Sequence, residues 1–178
     1  MAGSGIEVVG LDAWPDLPAP DEPGPNFIDN AVVKALYYEK ATGLPSVGED
    51  SGLEVDALDG APGVFSARWM GEDTPYAVKN ARLLEKLAGL NPEERTARYV
   101  CAVALAKDGE IVFRAVETVE GHIAESPRGD RGFGYDPVFF YPPYGKTMAE
   151  ATPDEKNRVS HRGKAMAGLR AFLDRSPK

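Results

Sequence analysis

Cysteine, long apolar runs and positive charge are all scarce in this 178-residue sequence. The only cysteine, Cys101, lies in an alternating apolar segment, which excludes an intrachain disulfide and a cysteine-built zinc site and indicates a small core residue. No apolar run approaches the ~20 residues that a bilayer-spanning helix needs. The start, Met-Ala-Gly-Ser-Gly, lacks the basic and apolar regions of a signal peptide. These absences predict a cytoplasmic protein without membrane association.

The charge balance restricts the partners of the protein. Lysine and arginine number 20 against 28 aspartates and glutamates, which gives a formal charge of −8. An acidic chain is a poor binder of nucleic-acid backbones, although a small anionic substrate remains possible where a metal or local basic residues receive it. At 19.1 kDa, with 43% hydrophobic and 27% charged residues, the sequence predicts one globular domain over residues 1–178.

Helix signals occur at four places in the sequence. Asn26 as N-cap and Gly43 as stop predict a helix over Phe27 to Thr42. Thr74-Pro75 predicts the start of a second helix, which Gly89 can end. A short helical turn is predicted over Pro153 to Val159, and Ser160 can cap a final helix that runs to about Leu173.

Strand signals are interspersed with these helices. We expect a strand at Ile6 to Leu11 and a short one at Pro45 to Gly48, which would place the acidic pair Glu49-Asp50 at a strand junction. Arg98 to Ala106 and Ile111 to Val119 flank the turn signal Asp108-Gly109 and predict a long hairpin. The element order is mixed α and β, without an internal repeat.

The acidic residues are candidates for a metal site. Glu49 and Asp50 stand together before Ser51, and Asp29 lies in the first turn of the preceding predicted helix. Carboxylates from separate elements could hold Mg²⁺, and one of them could activate a water that attacks phosphorus. The alternative is that Asp29 favours a helix N-terminus and that Glu49-Asp50 is a solvated loop. Spacing alone leaves both possibilities open.

Basic and aromatic residues could hold a nucleotide. Lys34, Lys156 and Arg162 could neutralise phosphates or contact a base edge, or they could be solvated surface residues. Phe133 and Tyr135, set among glycines, could stack on a flat base or pack in the core.

Four blocks of sequence together resemble one family. EDSGLEVDALDGAPGVFSAR at residues 49–68 closely resembles the signature of the inosine triphosphate pyrophosphatases, also called XTP/dITP diphosphatases. NFIDNAVVKA at 26–35, GFGYDPVF at 132–139 and DEKNRVSHRGKA at 154–165 follow the family's order and similar separations. The resemblance covers nearly the whole chain.

The resemblance implies both a fold and an activity. The fold is α/β: an elongated, mixed, twisted sheet with flanking helices and two lobes around a nucleotide cleft. The activity is Mg²⁺-dependent hydrolysis of ITP, dITP and XTP, between the α and β phosphates, to the monophosphate and pyrophosphate. Members of this family are commonly homodimers.

Site residues are implied by the matching motifs. In the acidic motif, Asp50 is the proton acceptor and a metal ligand, Ser51 contacts substrate, Glu49 supports the metal cluster, and Asp29 stands where a metal-assisting Glu is usual. Lys34 matches a lysine near the phosphates. The base site is implied to consist of Phe133, Gly134, Tyr135, Asp136, Lys156, His161 and Arg162.

One departure from the family's pattern lies at the N-terminus. The family begins with a strand and a Ser/Thr-x-x-Asn-x-x-Lys loop that binds the triphosphate, and this sequence has neither. We therefore expect the 178 residues to be N-terminally incomplete relative to the family, through a misplaced start or a genuinely short product. The alternatives to the enzyme are a catalytically silent purine-nucleotide-binding protein and a phosphohydrolase with another nucleotide preference.

Overall fold

The computed structural model describes residues 6–175 and contains four helices and a five-stranded sheet. The prediction for Met-Ala-Gly-Ser-Gly lies outside the described residues. The helices and strands are, in chain order, α1 Phe27–Thr42, β1 Ser46–Val55, α2 Tyr76–Lys86, β2 Thr96–Lys107, β3 Glu110–Ile123, β4 Phe139–Tyr141, β5 Lys146–Thr147, α3 Pro153–Val159 and α4 His161–Arg175. The predicted α/β class is confirmed.

Local signals determine the ends of the helices. The Asn26 side chain accepts a hydrogen bond from the backbone N–H of Asp29 at 2.9 Å, and Gly43 ends α1 in the left-handed conformation at φ 70°. Thr152 and Glu155 form a capping box at the start of α3. The predicted bounds of α1 and α3 are therefore confirmed, because each end depends on residues within a few positions of it.

The sheet has the strand order β1-β2-β3-β4-β5, in which neighbouring strands are hydrogen-bonded. Strands β2 and β3 are joined through Asp108 and Gly109, both at positive φ, so the predicted hairpin is confirmed. Strand β4 pairs antiparallel with β3, with His122 opposite Phe140, and also antiparallel with β5, with Phe140 opposite Thr147.

Two predictions for strands are wrong. Residues 6–10 form no regular structure and Leu11–Ala13 is a 3₁₀ turn, with Val8 69% exposed. A β-rich sequence forms a strand only where another backbone pairs with it, and no strand pairs with this segment among the described residues. The acidic pair is not at a strand junction, because β1 continues without a break through Glu49 and Asp50.

The chain divides into two compact units. Unit 1 comprises Met1–Asp50, Ala102–Val116 and Ala165–Lys178, and unit 2 comprises Ser51–Cys101 and Glu117–Lys164. Strands β1, β2 and β3 each contribute residues to both units, so neither unit is a continuous stretch of chain. The prediction of a single domain stays a prediction.

Each unit has its own apolar core. In unit 1, buried alanines of α1 and β2 and the buried Leu169 of α4 are almost inaccessible to solvent, and Phe113 packs on Phe172 with ring centroids 5.3 Å apart. The larger core of unit 2 is built from Leu53, Val55, Leu83, Leu87, Ala97, Tyr99, Val119, Ile123, Tyr135, Val138, Phe139 and Met148. No helix of the described residues is long and apolar enough to cross a membrane.

Candidate functional site

A lysine lies between two carboxylates in unit 1. Lys34 Nζ, on α1, is 2.8 Å from Glu22 Oε1 and 3.0 Å from Asp50 Oδ1. It also donates to the backbone carbonyl of Glu49 at 3.2 Å, and Asn30 Nδ2 donates to Asp50 Oδ2 at 3.2 Å. Both oxygens of the Asp50 carboxylate therefore accept a hydrogen bond, so the side chain is held in one orientation.

A glycine brings β1 close to α1 and so assembles this cluster. A Cβ at Gly48 would lie 2.1 Å from the Ala31 carbonyl oxygen and 2.6 Å from the Ala35 nitrogen. Only glycine allows this approach of strand to helix without displacing one of them. The approach places Asp50, two residues along the strand, against Lys34.

For both Asp50 and Lys34, burial and the neighbouring charged groups shift the pKa in opposite directions. Burial of the Asp50 carboxylate is the largest influence and raises its pKa, which the hydrogen bonds from Lys34 and Asn30 offset only in part. Burial also opposes the charge of Lys34, but Glu22 and Asp50 together outweigh it and raise the lysine pKa. Asp50 is thus a more basic carboxylate than an exposed aspartate, and Lys34 remains an ammonium.

The other two predicted metal ligands are placed differently. Asp29 is exposed in the first turn of α1, and its carboxylate makes no ion pair with a described residue. Glu49 precedes Asp50 on one strand, where consecutive side chains point to opposite faces. The structure brings Asp50 together with Glu22 instead, a residue that belongs to none of the predicted site motifs.

The Lys34 ammonium occupies a position between two carboxylates where a divalent cation could also bind. Residues 6–175 contain no group of three or more His, Cys, Asp or Glu side chains arranged around a metal position. Glu22 and Asp50 nevertheless hold one cation between them. Since Mg²⁺ commonly takes one or two protein carboxylates and completes its shell with water and substrate phosphate, the pair fits such an ion.

A second polar cluster lies in unit 2 around the buried Asp136. Its carboxylate accepts hydrogen bonds from the Lys156 ammonium, from the Phe133 backbone N–H at 2.8 Å and from the Tyr99 hydroxyl at 3.2 Å. A Cβ at Gly132, where φ is 75°, would lie 2.1 Å from Asp136 Oδ2. The glycine therefore both permits the turn and leaves room for the carboxylate.

Two cationic side chains lie beside the exposed ring of Phe133. The ring is 65% exposed, with Lys156 Nζ 4.6 Å and the Arg162 guanidinium carbon 5.8 Å from its centroid. Arg162 Nη2 also donates to Ser51 Oγ at 3.0 Å. An exposed aromatic face beside two cations is suited to a flat, electron-rich ring that carries hydrogen-bond acceptors.

The remaining predicted base-site residues pack behind this surface. Tyr135 is buried, and its hydroxyl donates to the Ser66 carbonyl at 3.0 Å. The His161 ring stacks on Tyr99 with centroids 5.0 Å apart. Gly134, at φ 66°, accepts a hydrogen bond at its carbonyl from Asn80. Within unit 2, the predicted base-site residues therefore form one connected set.

Sequence reasoning missed four polar residues of these clusters: Glu22, Asn30, Tyr99 and Asn80. Glu22 lies in a proline-rich loop, Tyr99 belongs to an apolar alternating run, and Asn80 falls in an amphipathic helix pattern. Asn30 follows Asp29 directly and is fully buried. No local pattern indicates these residues, because their partners lie 12 to 54 positions away in the sequence.

Sequence comparison identifies the family of the chain. The Ham1 family profile matches residues 1–172. The chain belongs to the Ham1 family. Among its curated relatives, the dITP/XTP pyrophosphatase of Geobacillus kaustophilus is 50% identical over 95% of this chain and 83% of its own. The dITP/XTP pyrophosphatase of Thermus thermophilus is 52% identical over 90% of this chain and 78% of its own.

Solved structures of Ham1 proteins have the same fold. The Staphylococcus aureus Ham1 protein matches with a TM-score of 0.88 at 38% identity, over 94% of this chain and 86% of its own. The dITP/XTP pyrophosphatase of Mycobacterium abscessus matches with a TM-score of 0.78 at 45% identity, over 93% and 87% of the two chains. The resemblance to this family that the four sequence blocks indicated is therefore confirmed.

Proposed function

We propose that this protein hydrolyses non-standard purine nucleoside triphosphates, namely dITP, XTP and ITP, to the monophosphate and pyrophosphate. The observation that carries the proposal is its membership of the Ham1 family, with dITP/XTP pyrophosphatases 50% identical to it over 95% of its length. Removal of such nucleotides from the precursor pool follows from this reaction. The bond broken is the one between the α and β phosphates.

Asp50 is the proton acceptor in this proposal. A general base for water must be held in place and must be more basic than an exposed carboxylate. Asp50 meets both requirements, because Lys34 and Asn30 orient its oxygens and burial raises its pKa. Lys34 adds a positive charge where phosphate oxygens would need neutralising.

We assign the metal site to Asp50 and Glu22, with Mg²⁺ as the ion. Bound Mg²⁺ supplies charge neutralisation at the phosphates. Asp29 and Glu49 stay candidates for contacts through water. Since Glu22 shares the Lys34 ammonium with Asp50 and Asp29 does not, Glu22→Gln should weaken Mg²⁺-dependent thermal stabilisation more than Asp29→Asn. Equal effects of the two variants would contradict the assignment.

The base site consists of the cluster in unit 2. Phe133 would stack on the purine, with Lys156, Arg162 and His161 as donors near its edge and Ser51 as a further polar contact. Hypoxanthine and xanthine present an acceptor at position 6, where adenine presents an amino donor. Donors at that edge would therefore be left unpaired by adenine, which is a strong basis for discrimination.

Pyrophosphate release from dITP, XTP, ITP, ATP and GTP, with Mg²⁺ and with EDTA, tests the proposal. We expect Mg²⁺-dependent release that favours dITP, XTP and ITP over ATP and GTP. Asp50→Asn should lower kcat by at least about 10³-fold. Asp59→Asn is the matched control, because Asp59 is exposed and its left-handed backbone suits asparagine.

The outcomes separate the enzyme from its alternatives. Binding of dITP without pyrophosphate release from folded wild-type protein would favour the catalytically silent nucleotide-binding protein. Release that favours ATP or GTP would support a phosphohydrolase with another nucleotide preference. We further propose a cytoplasmic homodimer, for which light scattering should give about twice the chain mass of 19.1 kDa.

A further inference from the structure

Helix α2 reaches the segment of unit 2 that we propose contacts the purine. Asn80, on α2, donates from Nδ2 to the Gly134 carbonyl at 3.1 Å, and its side chain is almost fully buried, with 5% of the residue exposed. A carbonyl can only accept, so the amide cannot be reversed without losing this bond. The orientation of Asn80 is therefore fixed by Gly134.

The other end of the same amide has no hydrogen bond. Asn80 Oδ1 is buried and has no partner among the described residues. Most buried polar atoms in proteins are paired, because an unpaired one loses its hydration without compensation. Leucine has the same branched side-chain skeleton and would avoid this cost. Packing alone therefore does not account for asparagine at this position, whereas its donor to Gly134 does.

The Gly134 carbonyl lies in the middle of a segment whose other groups are held separately. The Phe133 N–H donates to Asp136 Oδ2, and the Tyr135 hydroxyl donates to the Ser66 carbonyl. Gly134 itself is at φ 66° and has no side chain to restrict it. The bond from Asn80 is the contact that fixes the orientation of the Gly134 carbonyl.

Two neighbours of Asn80 on α2 hold the surrounding loops. The Tyr76 ring packs edge-on against Tyr135 with centroids 5.3 Å apart, and a Cβ on Gly134 would lie 3.6 Å from that ring. The buried Lys79 ammonium donates to the Ala67 carbonyl and lies over the same Tyr76 ring. This face of α2 therefore supports the residues next to Phe133.

We propose that Asn80 is a positioning residue for purine recognition, a role that rests on the proposed function. Its amide fixes the Gly134 peptide, and this keeps the preceding Phe133 ring beside Lys156 and Arg162. Asn80 itself touches neither the base nor the phosphates. Replacing Asn80 should therefore weaken purine binding and reduce the selectivity for the base, while the hydrolysis step at Asp50 is unaffected.

The test replaces Asn80 by leucine, which removes the donor and the unpaired oxygen together, and by aspartate, which keeps the shape without a donor. Both variants should raise KM for dITP about tenfold, change kcat less than about threefold and lower the preference for dITP over dATP about fivefold. Because Asn80→Leu removes the unpaired oxygen together with the bond to Gly134, its thermal midpoint should fall less than that of Asn80→Asp, which leaves a carboxylate buried there. Arg82→Leu, on the exposed part of α2, is the matched control.

Three results would overturn the positioning role. These are an unchanged KM and base preference in Asn80→Leu, a lowered thermal midpoint with normal kinetics, or an equal loss of kcat for all substrates. Calorimetric dITP binding separates this proposal from the proposed function. If the wild type binds dITP without hydrolysing it, only the enzyme fails, and a tenfold weaker affinity of Asn80→Leu still supports the positioning role. If the wild type does not bind dITP, both proposals fail.

Discussion

Replacement of Lys34 by methionine removes the positive charge that separates Glu22 from Asp50. The two distances to Nζ, 2.8 Å and 3.0 Å, keep the facing carboxylate oxygens within about 5.8 Å of each other. Methionine has a similar length but no charge, so these carboxylates would repel each other without compensation. The prediction concerns the stability of the folded protein.

The size of the effect follows from the distances and the burial. At an effective dielectric constant of about 20, two unit charges at the outer limit of about 5.8 Å repel by about 3 kcal/mol. The attraction to Lys34 is also lost, while solvent screening reduces both effects. We expect Lys34→Met to lower the free energy of unfolding by about 2–4 kcal/mol, or the thermal midpoint by about 5–15 °C.

Calorimetry in EDTA and in MgCl₂ measures this loss and its recovery. If a divalent cation can take the place of the ammonium, Mg²⁺ at a hundredfold excess over its Kd should return about 2.7 kcal/mol. Lys40→Met, in the exposed last turn of α1, is the matched control, and NaCl of equal ionic strength controls for screening. A wild-type midpoint for Lys34→Met in EDTA, with no larger response to Mg²⁺ than the wild type shows, would refute the reasoning.

Three further predictions concern stability. Gly48→Ala should lower the free energy of unfolding by about 2 kcal/mol, because its Cβ would lie 2.1 Å from a carbonyl oxygen of α1; an unchanged urea midpoint would contradict this. Arg95→Met should cost about 2–4 kcal/mol in urea unfolding, since the buried guanidinium donates to three backbone carbonyls, and a loss below about 1 kcal/mol would show that these carbonyls find other donors. Hydrogen bonds from the Thr152 backbone and the Lys146 ammonium lower the pKa of Glu155 to about 2, so its stabilisation is complete above the ordinary value of 4.5 and lost as the pH falls towards 2. Glu155→Gln should flatten the pH dependence of the urea midpoint in that range, and a profile parallel to that of the wild type would argue against the pair.

The elements that could be predicted from the sequence are those whose signals are local. The bounds of α1 follow from Asn26 and Gly43, and the β2–β3 hairpin follows from Asp108-Gly109 between two alternating runs. Each of these signals acts on backbone groups within a few residues of itself. The predictions therefore needed no knowledge of the rest of the chain.

The failures arose where structure depends on distant partners. Ile6 to Leu11 has the composition of a strand, but pairing cannot be deduced from the segment itself. The Glu49-Asp50 pair looked like an interruption because charged residues are unusual in a strand, yet Lys34 and Asn30 satisfy Asp50 there. Tertiary contacts made the polar residues compatible with β1.

The residues of the candidate site also fall into those that sequence motifs indicate and those that only tertiary contacts reveal. Residues in dense family motifs, such as Asp50 and Asp136, were selected from sequence, and the structure places both in buried polar clusters. Glu22 and Asn80 act through single contacts to residues 12 and 54 positions away, which no spacing rule indicates. Geometry was needed to find them.

The buried cysteine of β2 is a natural probe for the local opening of the sheet. Cys101 is the only thiol in the chain and is inaccessible to solvent. A thiol reagent such as Ellman's can react with it only when β2 separates from its neighbours, so the rate of colour development measures how often that separation occurs. Comparing this reaction rate with and without nucleotide would measure how a bound ligand changes the opening of the sheet. The measurement needs no added label, no mutation and no coupled enzyme.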